Sequence, residues 1–169
     1  MSPFALLQSV CLVAFALLLL AAAWQDLRSM RIGNALSAGI VVSFALWLSG
    51  GLALGKLPAS HVLAAVGCAV AVFAVGALGF AGGILGGGDV KLLAASSLFA
   101  GPGLLVDFIL ITAVAGGLLG LAMLAGAPIG PAAALTSGGT VRARLRGGLP
   151  YGPAIAAGGL WTAYALTMS

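Results

Sequence analysis

Long apolar runs, broken by short clusters of polar residues, glycine and proline, set out this chain. The first run, 4–23, carries no charge and matches the roughly 20 residues that a helix needs to cross a bilayer. Asp26, Arg28 and Arg31 follow it. A second apolar helix is predicted over 35–55, with Asn34 as its N-cap. A turn around Pro58 leads to a third helix over 62–85, where Gly79 and Gly83 form a small-xxx-small pattern suited to a tight helix crossing. Gly86-Gly87-Gly88-Asp89 comes next. A short helix over 90–100 is then stopped by Gly101-Pro102-Gly103; its rise of about 16 Å is too small to span a bilayer. A fifth helix over 104–125 contains Gly116-x-x-x-Gly120, a polar link over 126–150 carries Arg142, Arg144 and Arg146, and a sixth helix covers 151–168. The expected fold class is all-α: a polytopic membrane protein of about six transmembrane helices, forming one membrane-embedded domain over 1–169.

Composition confirms the class. Hydrophobic residues make up 62% of the chain and charged residues 6%, and the mean hydropathy is +1.24. A soluble domain carries about 25% charged residues, so this chain has too few to cover a surface facing water. The 27 glycines lie inside apolar runs, where close helix packing accounts for them. Cys11 and Cys68 sit in apolar stretches and read as small buried hydrophobes. No CxxC pair or Cys/His cluster is present, so neither a metal site nor a cofactor is expected. His61 reads as a lone histidine in a polar link.

Charge then orders the helices across the membrane. No Lys or Arg precedes the first run, whereas Arg28 and Arg31 follow it. A cleaved signal peptide has its positive charge in front, so this run is expected to be a retained helix with its N-terminus outside. With both termini extracytoplasmic, the cytoplasmic links carry every basic residue except Lys56, in agreement with the positive-inside rule. The positive balance is therefore topological, and no nucleic-acid partner is expected. The same scheme brings two of the three acids, Asp26 and Asp89, to the cytoplasmic face. Asp107 opens the fifth helix on the opposite face. Two nearby carboxylates do not readily both ionise. The charged one can then take a proton from water while its partner donates to a scissile carbonyl.

These residues carry a resemblance. Gly86-x-Gly88-Asp89-Val90-Lys91-Leu92-Leu93 resembles the Gly-x-Gly-Asp motif of intramembrane aspartyl proteases, and most closely that of the prepilin peptidases, or type IV leader peptidases. Asp26 followed by Arg31-Ile32-Gly33-Asn34 is similar to that family's first aspartate region, in which Pro usually stands at the position of Gly33. Leu149-Pro150-Tyr151-Gly152-Pro153 is similar to the aromatic-Gly-Pro segment before the family's last helix. The chain lacks the paired-cysteine region of the large bifunctional members, so no N-methyltransferase activity is expected. It most resembles the short form associated with tight-adherence (Flp-type) pili.

The resemblance implies an inner-membrane enzyme that cuts the basic leader from a pilin precursor at the cytoplasmic face, after a glycine and before the pilin's hydrophobic helix. Asp26 and Asp89 would be its catalytic carboxylates. Gly86 and Gly88 would let the substrate backbone approach Asp89. Lys91 would meet lipid phosphate or, as the second choice, act on the Asp89 carboxylate. Pro150, Tyr151, Gly152 and Pro153 would frame the substrate entrance or simply start a helix. The implied partners are the precursor and the bilayer. Two other classes of function remain open at this point: a small ion-coupled transporter with the aspartates as ion sites, and a non-catalytic membrane subunit of a secretion system.

Overall fold

The computed structural model describes residues 3–55, 58–127 and 149–168. The expected basic link with Arg142, Arg144 and Arg146 lies outside the described residues, as does Lys56. Among the described residues the chain is all-helical: α1 is Pro3–Ser29, α2 Asn34–Ala53, α3 Ala59–Ala81, α4 Gly87–Leu124 and α5 Gly152–Met168. The first four contain stretches long and apolar enough to cross a membrane. Their outward faces carry large apolar side chains such as Val13, Leu63, Val75, Leu78 and Val106. That surface suits hydrocarbon, and helices suit it too, because they satisfy their backbone polar groups internally.

Several element boundaries differ from the expected ones, each for a local reason. α1 runs past 23 to Ser29, so Asp26 lies within the helix and not in the link after it. The helix ends at Met30, which takes a left-handed φ of 53°. Such a conformation costs an L-residue roughly 1 kcal/mol, yet here it turns the chain sharply into the short link before α2. The N-cap of α2 is Gly33, without a side-chain cap hydrogen bond; Asn34 is the first helical residue. α3 stops at Ala81, where Gly83 adopts φ 70° and the Ile84 N–H reaches back to the Gly79 carbonyl, as in a Schellman ending. The expected tight crossing at Gly79 and Gly83 is therefore absent. A Cβ at Gly79 would meet Leu85 of the turn that follows, and the close approach to α4 comes instead at Gly76, against Val90.

The expected helices at 90–100 and 104–125 form one element, α4, broken at Gly101 (φ 51°, ψ −168°). Pro102, with no N–H to donate, starts the second limb where a proline is tolerated. Packing shows how sharp the break is. Gly101 lies beside His61 at the start of α3, whereas further along, Gly116 lies beside Tyr151 and Ala154 at the start of α5. The first limb thus runs away from the end at which α4 began, and the second limb returns to it. Gly116 supplies the contact expected of the Gly116/Gly120 pair, while Gly120 has nothing near it.

The core sits mostly in the half of the bundle remote from Asp26. Phe99 of α4 stacks on Phe15 of α1 at 4.2 Å and meets Phe44 and Trp47 of α2 at 5.3 and 5.8 Å between ring centroids. Each such pair contributes about 0.5–1.5 kcal/mol beyond simple burial. The Ser43 hydroxyl ties α2 to α1 by donating to the Cys11 carbonyl at 2.9 Å. Of the two free cysteines, Cys11 is buried as expected and Cys68 is only half-buried. α5 packs on the second limb of α4 and on α1 through small residues. A Cβ at Gly158 would meet the Thr112 hydroxyl, and one at Gly159 would meet Leu19.

Candidate active site

Helix ends converge at one end of the bundle: the last turn of α1, the first turn of α4 and the start of α5. Asp26 and Asp89 are both buried there, at 4% and 8% exposure. Both line one cavity of about 290 Å³, together with Met30, Arg31, Ile32 and the glycines Gly86, Gly87 and Gly88. Two of the chain's three acids, distant in sequence, therefore face the same space. Asp107 is exposed on the second limb of α4 and has no part in it.

Each carboxylate is held by one backbone N–H. Gly152 donates to Asp26 Oδ2 at 2.7 Å, a buried bond between the start of α5 and the end of α1. Gly86, the N-cap of α4, donates to Asp89 Oδ2 at 3.1 Å. Asp89 is the third residue of the helix, so its side chain reaches back to the N-cap N–H as the acidic member of a capping box does. Capping occupies only one oxygen. Asp89 Oδ1 is buried and has no hydrogen-bond partner among the described residues. Buried polar atoms are nearly always satisfied, so an acid held with one free buried oxygen in a pocket is an arrangement suited to chemistry.

The glycines find uses within the fold itself. A Cβ at Gly86 would lie 2.7 Å from Asp89 Oδ2, so only glycine leaves room for the carboxylate to fold back. A Cβ at Gly88 would lie 3.1 Å from the Ile32 Cβ and 3.2 Å from its carbonyl oxygen. The α1–α2 link crosses α4 at that point, bringing the segment after Asp26 against the segment carrying Asp89. Gln25 steadies the link by accepting the Gly33 N–H at 2.9 Å. Gly33, standing where the resemblance expects Pro, can make this bond because it keeps its N–H.

The remaining expected site residues separate. Lys91 does not line the aspartate pocket; its ammonium donates to Asn34 Oδ1 at 2.9 Å, joining α4 to α2. Of the segment 150–153, Gly152 alone has a hydrogen bond to a candidate carboxylate. Pro150 is fully buried, and the Tyr151 ring packs against Gly116. Outside the pocket, Trp24 lies exposed under the Arg28 guanidinium, 4.3 Å from its ring centroid, an amphipathic pairing suited to a membrane interface. Met30 and Gln25 carried no signal in the sequence, because their part is to shape a link whose path depends on the packing of α1 against α4; Ile32 stood there only as part of the segment after Asp26.

Two acids on helix ends, beside a glycine turn in an apolar bundle, invite comparison with known proteins. The model of the type IV leader peptidase family matches residues 13–121. The chain belongs to the type IV leader peptidase family. No curated protein and no solved structure matches it. The matched span holds Asp26, Asp89 and the glycines Gly86, Gly87 and Gly88 at the start of α4, and it ends before Gly152. Membership of this family, together with the apolar helices, makes the chain a membrane protein of a peptidase family.

Proposed function

We propose that this protein is a membrane aspartic endopeptidase that removes the leader from prepilin-like precursors of the Flp type, with Asp26 and Asp89 as its two catalytic carboxylates. The observation that carries this reading is their convergence on one cavity of about 290 Å³. Family membership supports the reaction class. An ion carrier would set its acids near the bilayer midplane at broken helices; here the break, at Gly101, lies away from both aspartates.

The proposed chemistry follows from the hydrogen bonds. Asp26 Oδ2 receives a short, buried N–H bond, which favours a charged acceptor. In its charged form Asp26 takes a proton from water as the water oxygen attacks the scissile carbonyl carbon. Asp89, with one oxygen free, carries the proton given to the carbonyl oxygen. The tetrahedral intermediate then collapses: the C–N bond breaks, the leaving amine takes the proton held by Asp26, and one hydroxyl of the intermediate returns its proton to Asp89 as the new carboxyl group forms. Because one carboxyl must be charged and the other protonated, activity should follow a bell-shaped pH profile whose two limbs belong to the pair.

The enzyme is placed in the inner membrane with its aspartates at the cytoplasmic face, where the basic leader remains after the precursor inserts. Cleavage after a glycine is part of the proposal, and no N-methyltransferase step is included. The test is cleavage of a purified precursor by the purified protein in vesicles. Asp26→Asn and Asp89→Asn should each insert and fold yet lose at least about 100-fold in kcat, while Asp107→Asn should cleave normally. Wild-type rates for either of the first two variants would refute the aspartyl mechanism.

A further inference from the structure

Beside the aspartate pocket lies a second cavity of about 490 Å³, between α2 and α3 and floored by the first limb of α4. Asn34 and Lys91 stand at one end of it, joined by their hydrogen bond. Beyond them the lining is almost wholly apolar: Val41 forms part of one wall, Val70 part of the other, and Ala94 and Ala95 the floor. Val41 and Val70 are exposed on the face that meets lipid. The lining positions on each helix extend over two turns, roughly 10 Å of helix rise.

We propose that this groove receives the apolar helix of the substrate, the segment that follows the scissile bond. The inference rests on the peptidase reading above and adds where the substrate sits. Continuity with the aspartate pocket carries it. Residues 32–34 and 89–91 bound both spaces, with Ile32 and Asp89 facing the pocket and Asn34 and Lys91 facing the groove. A polypeptide held at Asp89 and crossing that shared wall enters the groove at its polar mouth. Once among lipid-facing side chains, its backbone must bond to itself, so it enters as a helix. The alanine floor allows such a helix to approach closely, as small residues do at helix contacts in membranes. The rows of apolar side chains on α2 and α3 then grip it from both sides. Polar Asn34 and Lys91 fix the depth at which the helix begins, and thereby the register of the bond presented to the aspartates.

Two substrates and two variants test this with the full-length protein in phospholipid vesicles. One substrate is the whole precursor; the other is a soluble peptide with the leader and only a few residues past the scissile bond. Ala69→Phe fills the groove from α3, where Ala69 is half-buried. Val75→Phe alters an exposed position of α3 outside the groove. Ala69→Phe should raise KM for the precursor about ten-fold at unchanged kcat, the pattern of lost uniform binding, and leave the soluble peptide unaffected. Val75→Phe should change neither. A benzophenone amino acid at Val70 should crosslink to the precursor's apolar segment. Unaltered precursor cleavage by Ala69→Phe, equal losses on both substrates, or crosslinks to lipid alone would overturn the groove assignment while leaving the peptidase reading intact. A wild-type protein that cleaves neither substrate would refute both.

Discussion

The contact between Gly152 and Asp26 leaves the candidate site little room to change. A Cβ at Gly152 would fall 2.7 Å from the Asp26 Cβ and 2.9 Å from its Oδ2, so any larger residue must push the carboxylate away. Displacing a reacting group by about 1 Å can cost on the order of 100-fold in rate. Gly152→Ala is therefore expected to lose about 100-fold in kcat with little change in KM, as befits a group that acts in the transition state. Gly158→Ala provides the contrast. Its Cβ would meet the Thr112 hydroxyl and, at 2.7 Å, the Phe108 carbonyl oxygen, away from both aspartates. It should lower thermal stability in detergent and spare the kcat of the folded fraction. Steady-state kinetics beside a melting curve separates the two outcomes. The importance of Asp26 and Asp89 was legible in the sequence, because acids are scarce in so apolar a chain. The part played by Gly152 was not, since it depends on α5 packing against the far end of the chain. The same holds for Lys91, whose partner Asn34 is set by how α2 leans on α4.

At the scale of elements, Gly101 decides the path of α4. Its φ of 51° with ψ of −168° lies near a region that is essentially reserved for glycine, where a side chain costs on the order of 1–3 kcal/mol. Gly101→Ala should accordingly destabilise the protein by about that amount, visible as a lower melting temperature in detergent. Pro102→Ala, which alters only the first residue of the returning limb, should cost less. If both variants melted like the wild type, the reversal would have some other support. The length of the apolar runs located the five helices among the described residues, and Gly101-Pro102-Gly103 marked the interruption within α4, where two separate helices are expected. Helix ends were less legible. The apolar run gives no reason for α1 to continue through Asp26 to Ser29; that extension is settled by Met30 turning the chain and by Gly152 capturing the carboxylate. The glycines after α3 were equally ambiguous. Their pattern suited a helix crossing, but Gly83 and Gly86 serve a helix ending and a carboxylate, and Gly76 makes the crossing.

For the whole molecule, the site's location at one end of the bundle turns topology into a mechanistic matter. Arg28 and Arg31 follow Asp26, and Lys91 follows Asp89, so the aspartate end carries basic residues. The opposite end, around Gly101 and Gly103, carries none among the described residues. Basic residues favour the cytoplasmic side, so the proposed topology puts the aspartates at the cytoplasmic face, where the proposed leader would be cut. Single-cysteine labelling tests this directly. With Cys11 and Cys68 replaced by Ala, a cysteine at exposed Ser29 should react with a membrane-impermeant maleimide in inverted vesicles but not in intact spheroplasts. A cysteine at Gly103, where a Cβ meets nothing within 4 Å, should show the reverse. Swapped labelling would put the aspartates on the outer face. It would also separate the chemistry of the pair from the proposed substrate, because an outward-facing pocket could not reach a leader that remains in the cytoplasm.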